Sequence, residues 1–243
     1  AGSWEDFISG DQGSQGPALR DLALLLASHG YAGRVRTQLR DSRKWVREVC
    51  LEALVKARAE DLPGVLCEGM QDPEEAIRRR CLDWIDQVRV ELEGPLREAV
   101  AECLSDEDPV IRAHAASLLG EAGVSALEGL LMDPDGAKRR AALAYVPVSF
   151  DAAIRANLER GDDRLRASAL AAIQRLRLPH VVPLAELKSD LGSVEVELRE
   201  VAVDLLASCE DPEATELLIS GLGDPERRVR ARVQARRYVR HGQ

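Results

Sequence analysis

An arginine returns along this chain at intervals of 31, 34, 27, 27, 33 and 31 residues, as Arg47, Arg78, Arg112, Arg139, Arg166, Arg199 and Arg230. Each sits in the same setting: an aspartate, a few polar residues, an aliphatic residue, the cation, then an apolar stretch. Examples are Asp41-Ser-Arg-Lys-Trp-Val46-Arg47, Asp72-Pro-Glu-Glu-Ala-Ile77-Arg78, Asp106-Glu-Asp-Pro-Val-Ile111-Arg112 and Asp224-Pro-Glu-Arg-Arg-Val229-Arg230. Asp133-Pro-Asp-Gly-Ala-Lys138-Arg139 is a further copy, Gly161-Asp-Asp-Arg-Leu165-Arg166 a looser one, and Asp190 to Arg199 a lengthened one. Self-similarity at about thirty residues confines the fold, because one such unit cannot bury its own apolar faces and must stack on its neighbours.

The units agree position by position. Three residues after the arginine come Cys50, Cys81, Ala115, Ala142, Ala169, Ala202 and Val233. Seven after it come Leu54, Ile85, Leu119, Val146, Ile173, Leu206 and Arg237. With the preceding aliphatic residue these form an i, i+4, i+8 stripe, the buried face of a helix. A shorter helix is predicted before each arginine helix, for example at Leu62–Met70, Pro95–Leu104, Ala126–Leu131, Ala152–Leu158, Val182–Lys188 and Ala214–Leu222. Asp-Pro at 72–73, 108–109, 133–134 and 224–225 punctuates the junctions, since Asp caps a coming helix and Pro suits its first turn. Each unit therefore reads as helix A, tight turn, helix B. Units are expected at 31–58, 61–89, 94–121, 124–146, 150–177, 180–208 and 212–241, within one domain over 17–243.

The ends differ. Pro17–Ser28 reads as an extra helix covering the first hairpin with Leu19, Leu22, Leu25 and Leu26. Residues 1–16 read as an N-terminal segment and flexible linker, with Trp4 and Phe7 as docking groups. At the other end Gln234 and Arg237 replace apolar residues, as a polar capping helix requires. The chain opens Ala1-Gly2-Ser3 without a methionine, which reads as a trimmed tag or an excised fragment.

Composition agrees with helices. Hydrophobic residues make up 45% and aromatics only 3%, so the core rests on Leu, Ala, Val and Ile. Five cysteines, with no Cys-x-x-Cys spacing, are expected inside helices as structural residues in a reducing, cytoplasmic setting. No secretory leader and no run of 18 apolar residues is present, so no membrane association is expected.

The D-x-x-x-x-[VIL]-R-x-x-[AC] pattern resembles the HEAT-repeat family, particularly its short bacterial members, over about residues 31–241. The resemblance implies an all-α fold, an α-α superhelix or solenoid of about seven helical hairpins. It also implies B helices along the concave side and an Asp–Arg ladder between units. Three features depart from the pattern: Lys138 in an aliphatic position, Arg160 where the fifth unit should carry Asp, and the lengthening at 190–198.

Catalytic chemistry is not visible. His29, His114, His180 and His241 are scattered, with no His-Glu-x-x-His and no ligand spacing to cysteine. The absence of any His-Glu dipeptide sets aside the iron-binding deoxyhypusine hydroxylases among HEAT-repeat enzymes, and nothing marks the bilin pocket of the phycobilin lyases. The glycine-rich Gly10–Gly16 lacks the strand, helix and lysine of a phosphate loop, and no nucleophile motif is present. No enzymatic activity, cofactor, metal or small-molecule ligand is expected.

A binding role is the leading expectation: a scaffold or adaptor that holds a protein partner on exposed B-helix residues. The seven repeat arginines are read as structural, each bridging to loop acids such as Asp41, Asp72 and Asp106. Cations the repeat does not require are better interface candidates: Arg43, Lys44, Arg79, Arg80, Arg140, Arg164, Arg227, Arg228, Arg232 and Arg236. Trp45 and Trp84, beside them, are candidate aromatic anchors or alternatively fillers between units. The second expectation is nucleic-acid binding, on the likeness in size and helical repetition to AlkD-like alkylpurine DNA glycosylases. The net charge of −9 opposes it, although residues 136–180 carry +5 and 227–243 hold seven arginines and no acid. Residues 61–135 carry −12 and 181–226 carry −10, an unevenness suited to a charged partner on part of the surface. A third expectation is an interaction module of a longer protein.

Overall fold

The computed structural model describes residues 12–159, 162–178 and 182–241; Trp4, Phe7, Arg160 and His180 lie outside them. Every regular element among the described residues is helical, and none is a strand. We number the α-helices α1 (Gln12–Ser28), α2 (Ala32–Arg36), α3 (Lys44–Lys56), α4 (Leu62–Met70), α5 (Glu75–Val88), α6 (Gly94–Glu102), α7 (Pro109–Leu118) and α8 (Val124–Met132). They continue as α9 (Gly136–Tyr145), α10 (Asp151–Leu158), α11 (Asp163–Leu176), α12 (Leu184–Leu191), α13 (Val196–Ser208), α14 (Pro212–Ser220) and α15 (Arg227–His241). The chain divides into two compact units, 1–126 and 127–243.

In the first unit α1 packs on α3, α4 on α6 and α5 on α7. The predicted stripe is its core: Val46, Cys50 and Leu54, then Ile77, Cys81 and Ile85, then Ile111, Ala115 and Leu119 are all buried. Helix α1 starts at Gln12, five residues ahead of Pro17, so the expected linker contributes its last residues to the helix. Leu19, Ala23 and Ala27 form its buried face, whereas Leu25 is exposed. Gly69 brings α4 so close to α5 that a methyl group there would overlap Cys81 Sγ.

In the second unit α9 packs on α11, α11 on α13, and α13 on α15, while α10, α12 and α14 each contact a neighbouring long helix. Leu165, Ala169 and Ile173 and then Leu198, Ala202 and Leu206 carry the same buried stripe. Lys138, the departure in the fourth stripe, is half-buried and reaches Asp133 Oδ2 at 2.9 Å, so its ammonium ends on a loop acid.

Caps explain where the helices begin and end. Asp108, Asp135, Asp162 and Asp211 each accept a hydrogen bond from a first-turn backbone N–H, at Val110, Ala137, Arg164 and Glu213 respectively. Arg58, Arg89 and Arg177 end α3, α5 and α11 in the left-handed region at φ near +50°. The following N–H then bonds back five residues, from Ala59 to Leu54, Val90 to Ile85 and Leu178 to Ile173, which closes the last turn.

The repeat arginines hold the hairpin turns together. Nη1 of Arg47, Arg78, Arg112, Arg139, Arg199 and Arg230 donates to the two carbonyls six and five residues before it, as from Arg199 to Ser193 and Val194. The Nε/Nη2 edge is then aimed at the next loop. Arg47 donates to both oxygens of Asp72 (2.7 and 2.9 Å), Arg78 to Asp106 (2.7 and 3.0 Å) and Arg199 to Asp224 (2.8 and 3.1 Å). Each acid also accepts from the backbone N–H two residues on, so one carboxylate fixes its own turn and the preceding helix. Asp41, expected to serve Arg47 in the same way, instead bonds the Arg43 side chain; Arg47 takes only the Asp41 carbonyl.

Candidate functional site

A cleft of about 560 Å³ opens within the second unit, across α9, α11, α13 and α15. Four of the helices that open with repeat arginines thus contribute to one concavity, and the residues come from a few columns of the repeat. Arg140, Ala167 and Glu200 each follow a repeat arginine by one; Ser168, Val201 and Arg232 follow by two; Arg164 and Glu197 precede by two. The apolar lining residues, Ala167, Ala171 and Val201, have small side chains, and that lack of bulk leaves the space open.

The polar lining is balanced in sign. Arg164 Nε donates to Glu195 Oε1 at 2.9 Å, and Arg232 lies 3.5 Å from Asp204, which Arg236 also bonds at 2.9 Å. Arg228 stands 3.7 Å from Glu197 and 3.8 Å from Glu200. Arg140, half-buried, makes no ion pair among the described residues. Several of the singled-out cations therefore come together here: Arg140, Arg164 and Arg232 line the cleft and Arg228 adjoins it. Arg227 is exposed on α15 and does not line it. The glutamates, Ser168 and the alanine floor went unnoticed in the sequence; reading the repeat by columns, rather than scanning for cations, would have found them.

The first-unit candidates are already engaged. Arg43 is tied to Asp41 and lies over the Trp45 ring, 5.5 Å from its centroid, with Trp45 only half exposed. Lys44 pairs with Glu74 at 3.1 Å, and Arg79 pairs with Asp108. Arg80 is exposed, 5.3 Å over Trp84. Trp84 itself is only 5% exposed, which corrects its reading as a surface anchor. It lies one turn from Cys81 and next to Ile85 on α5, so its ring fills the core while Arg80 covers the outer side.

Other chemistry-bearing groups are packed. His114 is buried, with Nε2 2.8 Å from Asp86 Oδ2 and Nδ1 3.7 Å from Asp83 Oδ1. Cys50, Cys81 and Cys103 are buried, and burial pushes the Cys50 thiol up to about 12 and the Cys103 thiol up to about 11. Cys103 sits in a 3-10 helix that continues α6, whereas Cys209 lies just beyond α13, outside the helix expected for it. Among the described residues no group of three or more His, Cys, Asp or Glu is placed to hold a metal, and no helix is long and apolar enough to cross a membrane.

Neither the family models nor the curated proteins include a match to this chain.

Proposed function

We propose that the chain is a HEAT-type superhelical scaffold that binds a protein partner in the second-unit cleft. The observation that carries this reading is the cleft itself: four long helices turn toward it side chains that the Arg–Asp turn contacts do not use. Its floor of small apolar side chains suits an inserted partner side chain, and its rim of both signs suits the polar border of a protein interface. Nucleic acid ranks lower, because phosphates entering beside Arg140, Arg164 and Arg232 would also meet Glu195, Glu197 and Glu200. Buried, unpaired thiols accord with a reducing, cytoplasmic setting. The reading is of binding without turnover.

The test is affinity capture from a lysate of the source cells, with and without nuclease, using the wild-type chain and Ala171→Trp. Ala171 is exposed in the lining, so an indole there fills the cleft without entering the core. A protein that survives nuclease and is lost with Ala171→Trp supports the proposal. Retention that vanishes with nuclease, or is indifferent to Ala171→Trp, overturns it.

A further inference from the structure

The turn contacts fail at one place inside the second unit, and the failure leaves an unfilled cation at the edge of the cleft. Arg139 holds its own turn as the other repeat arginines do, Nη1 donating to the carbonyls of Asp133 (2.6 Å) and Pro134 (3.0 Å). No carboxylate meets its outer edge, and its Nε is buried without a hydrogen-bond partner among the described residues. The sequence explains why: the position six residues before Arg166, aspartate in the better copies, is Arg160. The next arginine solves the same shortage differently. Serine stands six residues before Arg199, and Arg166 takes Asp190 instead, at 2.7 and 2.9 Å, with Glu186 at 2.9 Å. Among the described residues Arg139 has no such substitute.

Arg140 adds a second cation at the same spot. Gly136, the first residue of α9, has no side chain, and the point its Cβ would occupy lies 3.4 Å from Arg140 Nη1 and 3.8 Å from Arg139 Nη2. Asp162 Oδ2 is 3.5 Å from that point, while its Oδ1 caps α11 through the N–H groups of Arg164 and Leu165. The side chains of Asp162, Arg139 and Arg140 thus all reach the edge of Gly136, and neither guanidinium makes an ion pair among the described residues. The surrounding stretch, 136–180, carries +5 in a chain of net charge −9.

We infer that Gly136, Arg139 and Arg140 form a receptor for a carboxylate, filled by an aspartate or glutamate side chain of the protein that enters the cleft. This rests on the protein-binding reading above and names the partner's chemistry. The chain itself shows what suits such an edge, since four of its repeat arginines already grip a carboxylate with Nε and Nη2. An incoming acid would meet the Nη groups of two planar donors, Arg139 and Arg140, beside Gly136. Next to the acid, the partner presents an aliphatic side chain of a size that Ala167, Ala171 and Val201 can cover.

A random peptide library displayed on phage, selected against the full chain, tests this directly. The enriched peptides are expected to carry Asp or Glu beside an aliphatic residue. A synthetic copy of the strongest is expected to bind Arg140→Glu at least about tenfold more weakly. Arg140→Lys, which keeps the charge and loses the planar fork, should fall between. Circular dichroism of each variant establishes that the helices persist. Enriched peptides that lose binding to Ala171→Trp but carry no acid, or bind Arg140→Glu as well as wild type, overturn the carboxylate receptor and leave the cleft as a protein site. A selection in which nothing enriches removes the cleft and the receptor together.

Discussion

Arg47 and Asp72, 25 residues apart, face each other through two parallel hydrogen bonds of 2.7 and 2.9 Å, with side chains only 9% and 6% exposed. Asp72 also accepts from the N–H of Glu74, so it orders its own loop and neutralises its neighbour's cation. Removing it strands a buried guanidinium. Asp72→Ala is therefore expected to cost about 3–5 kcal/mol, whereas Arg47→Met with Asp72→Leu is expected to cost much less, because no charge is left buried alone. Urea unfolding of both variants checks this; equal losses would mean that packing, not charge, dominates the site.

Acid should weaken the contacts that Asp41, Asp106 and Asp224 make. Arg43 holds the Asp41 carboxyl below the usual carboxylate range. At Asp106 and Asp224 burial pushes the other way, yet the paired arginines, Arg78 and Arg199, together with a backbone N–H, bring both below that range. For a carboxyl whose folded value is depressed, the added stability is complete above its unfolded value of about 4 and is lost as pH falls through the folded value. The melting temperature should thus drop steeply below about pH 4. Asp106→Asn should start lower and fall less steeply, and a parallel fall in both proteins would contradict the assignment.

Thiol labelling should be slow and selective. Burial pushes the Cys50, Cys81, Cys103 and Cys67 thiols up, to about 12 for Cys50 and about 11 for Cys103, which keeps thiolate scarce at neutral pH. Under native conditions iodoacetamide is expected to reach only the two half-buried residues, Cys67 and Cys209, of the five. Mass spectrometry of the digested protein reports the order, and early modification of Cys81 would mean that α4 and α5 separate readily.

Two helical glycines should respond in opposite senses. A methyl group on Gly129, within α8, meets nothing within 4 Å, so Gly129→Ala is expected to stabilise by roughly 0.5–1 kcal/mol through helix propensity. On Gly69 the same group overlaps Cys81 Sγ and presses on Leu51, so Gly69→Ala should destabilise by about 1–3 kcal/mol. Adding Cys81→Ala should recover part of that loss. Thermal melts of the variants separate the two effects, and a neutral Gly69→Ala would show that the helices shift apart at little cost.

The long helices were legible because their apolar stripe is periodic: positions one before, three after and seven after the arginine are buried in unit after unit. The shorter helices were placed to within a few residues, since they fill the stretches between the long helices, whose starts Asp-Pro marks. Charge pairing was legible only where register is kept, as at Asp72 and Asp106. Asp41 turned to Arg43, and Asp190 replaced the serine in its register, because a flexible side chain takes whichever cation or acid is nearest. Of the two readings left open for Trp84, burial favours the filler over the anchor: adjacent arginines suggest exposure, whereas position on the helix decides it. The cleft stayed hidden because its floor is defined by alanines, and missing bulk has no motif.

The turn contacts have a direction: a helical hairpin offers a guanidinium to the hairpin after it and a carboxylate to the one before. Such pieces are interchangeable in the way of links in a chain. A whole hairpin inserted in register between Arg47 and Asp72 would receive one hydrogen-bonded pair and donate another, leaving no partner stranded. A cut of any other length would separate an arginine from its acid. Growth and loss by whole hairpins is therefore the form of length variation that this molecule can best absorb.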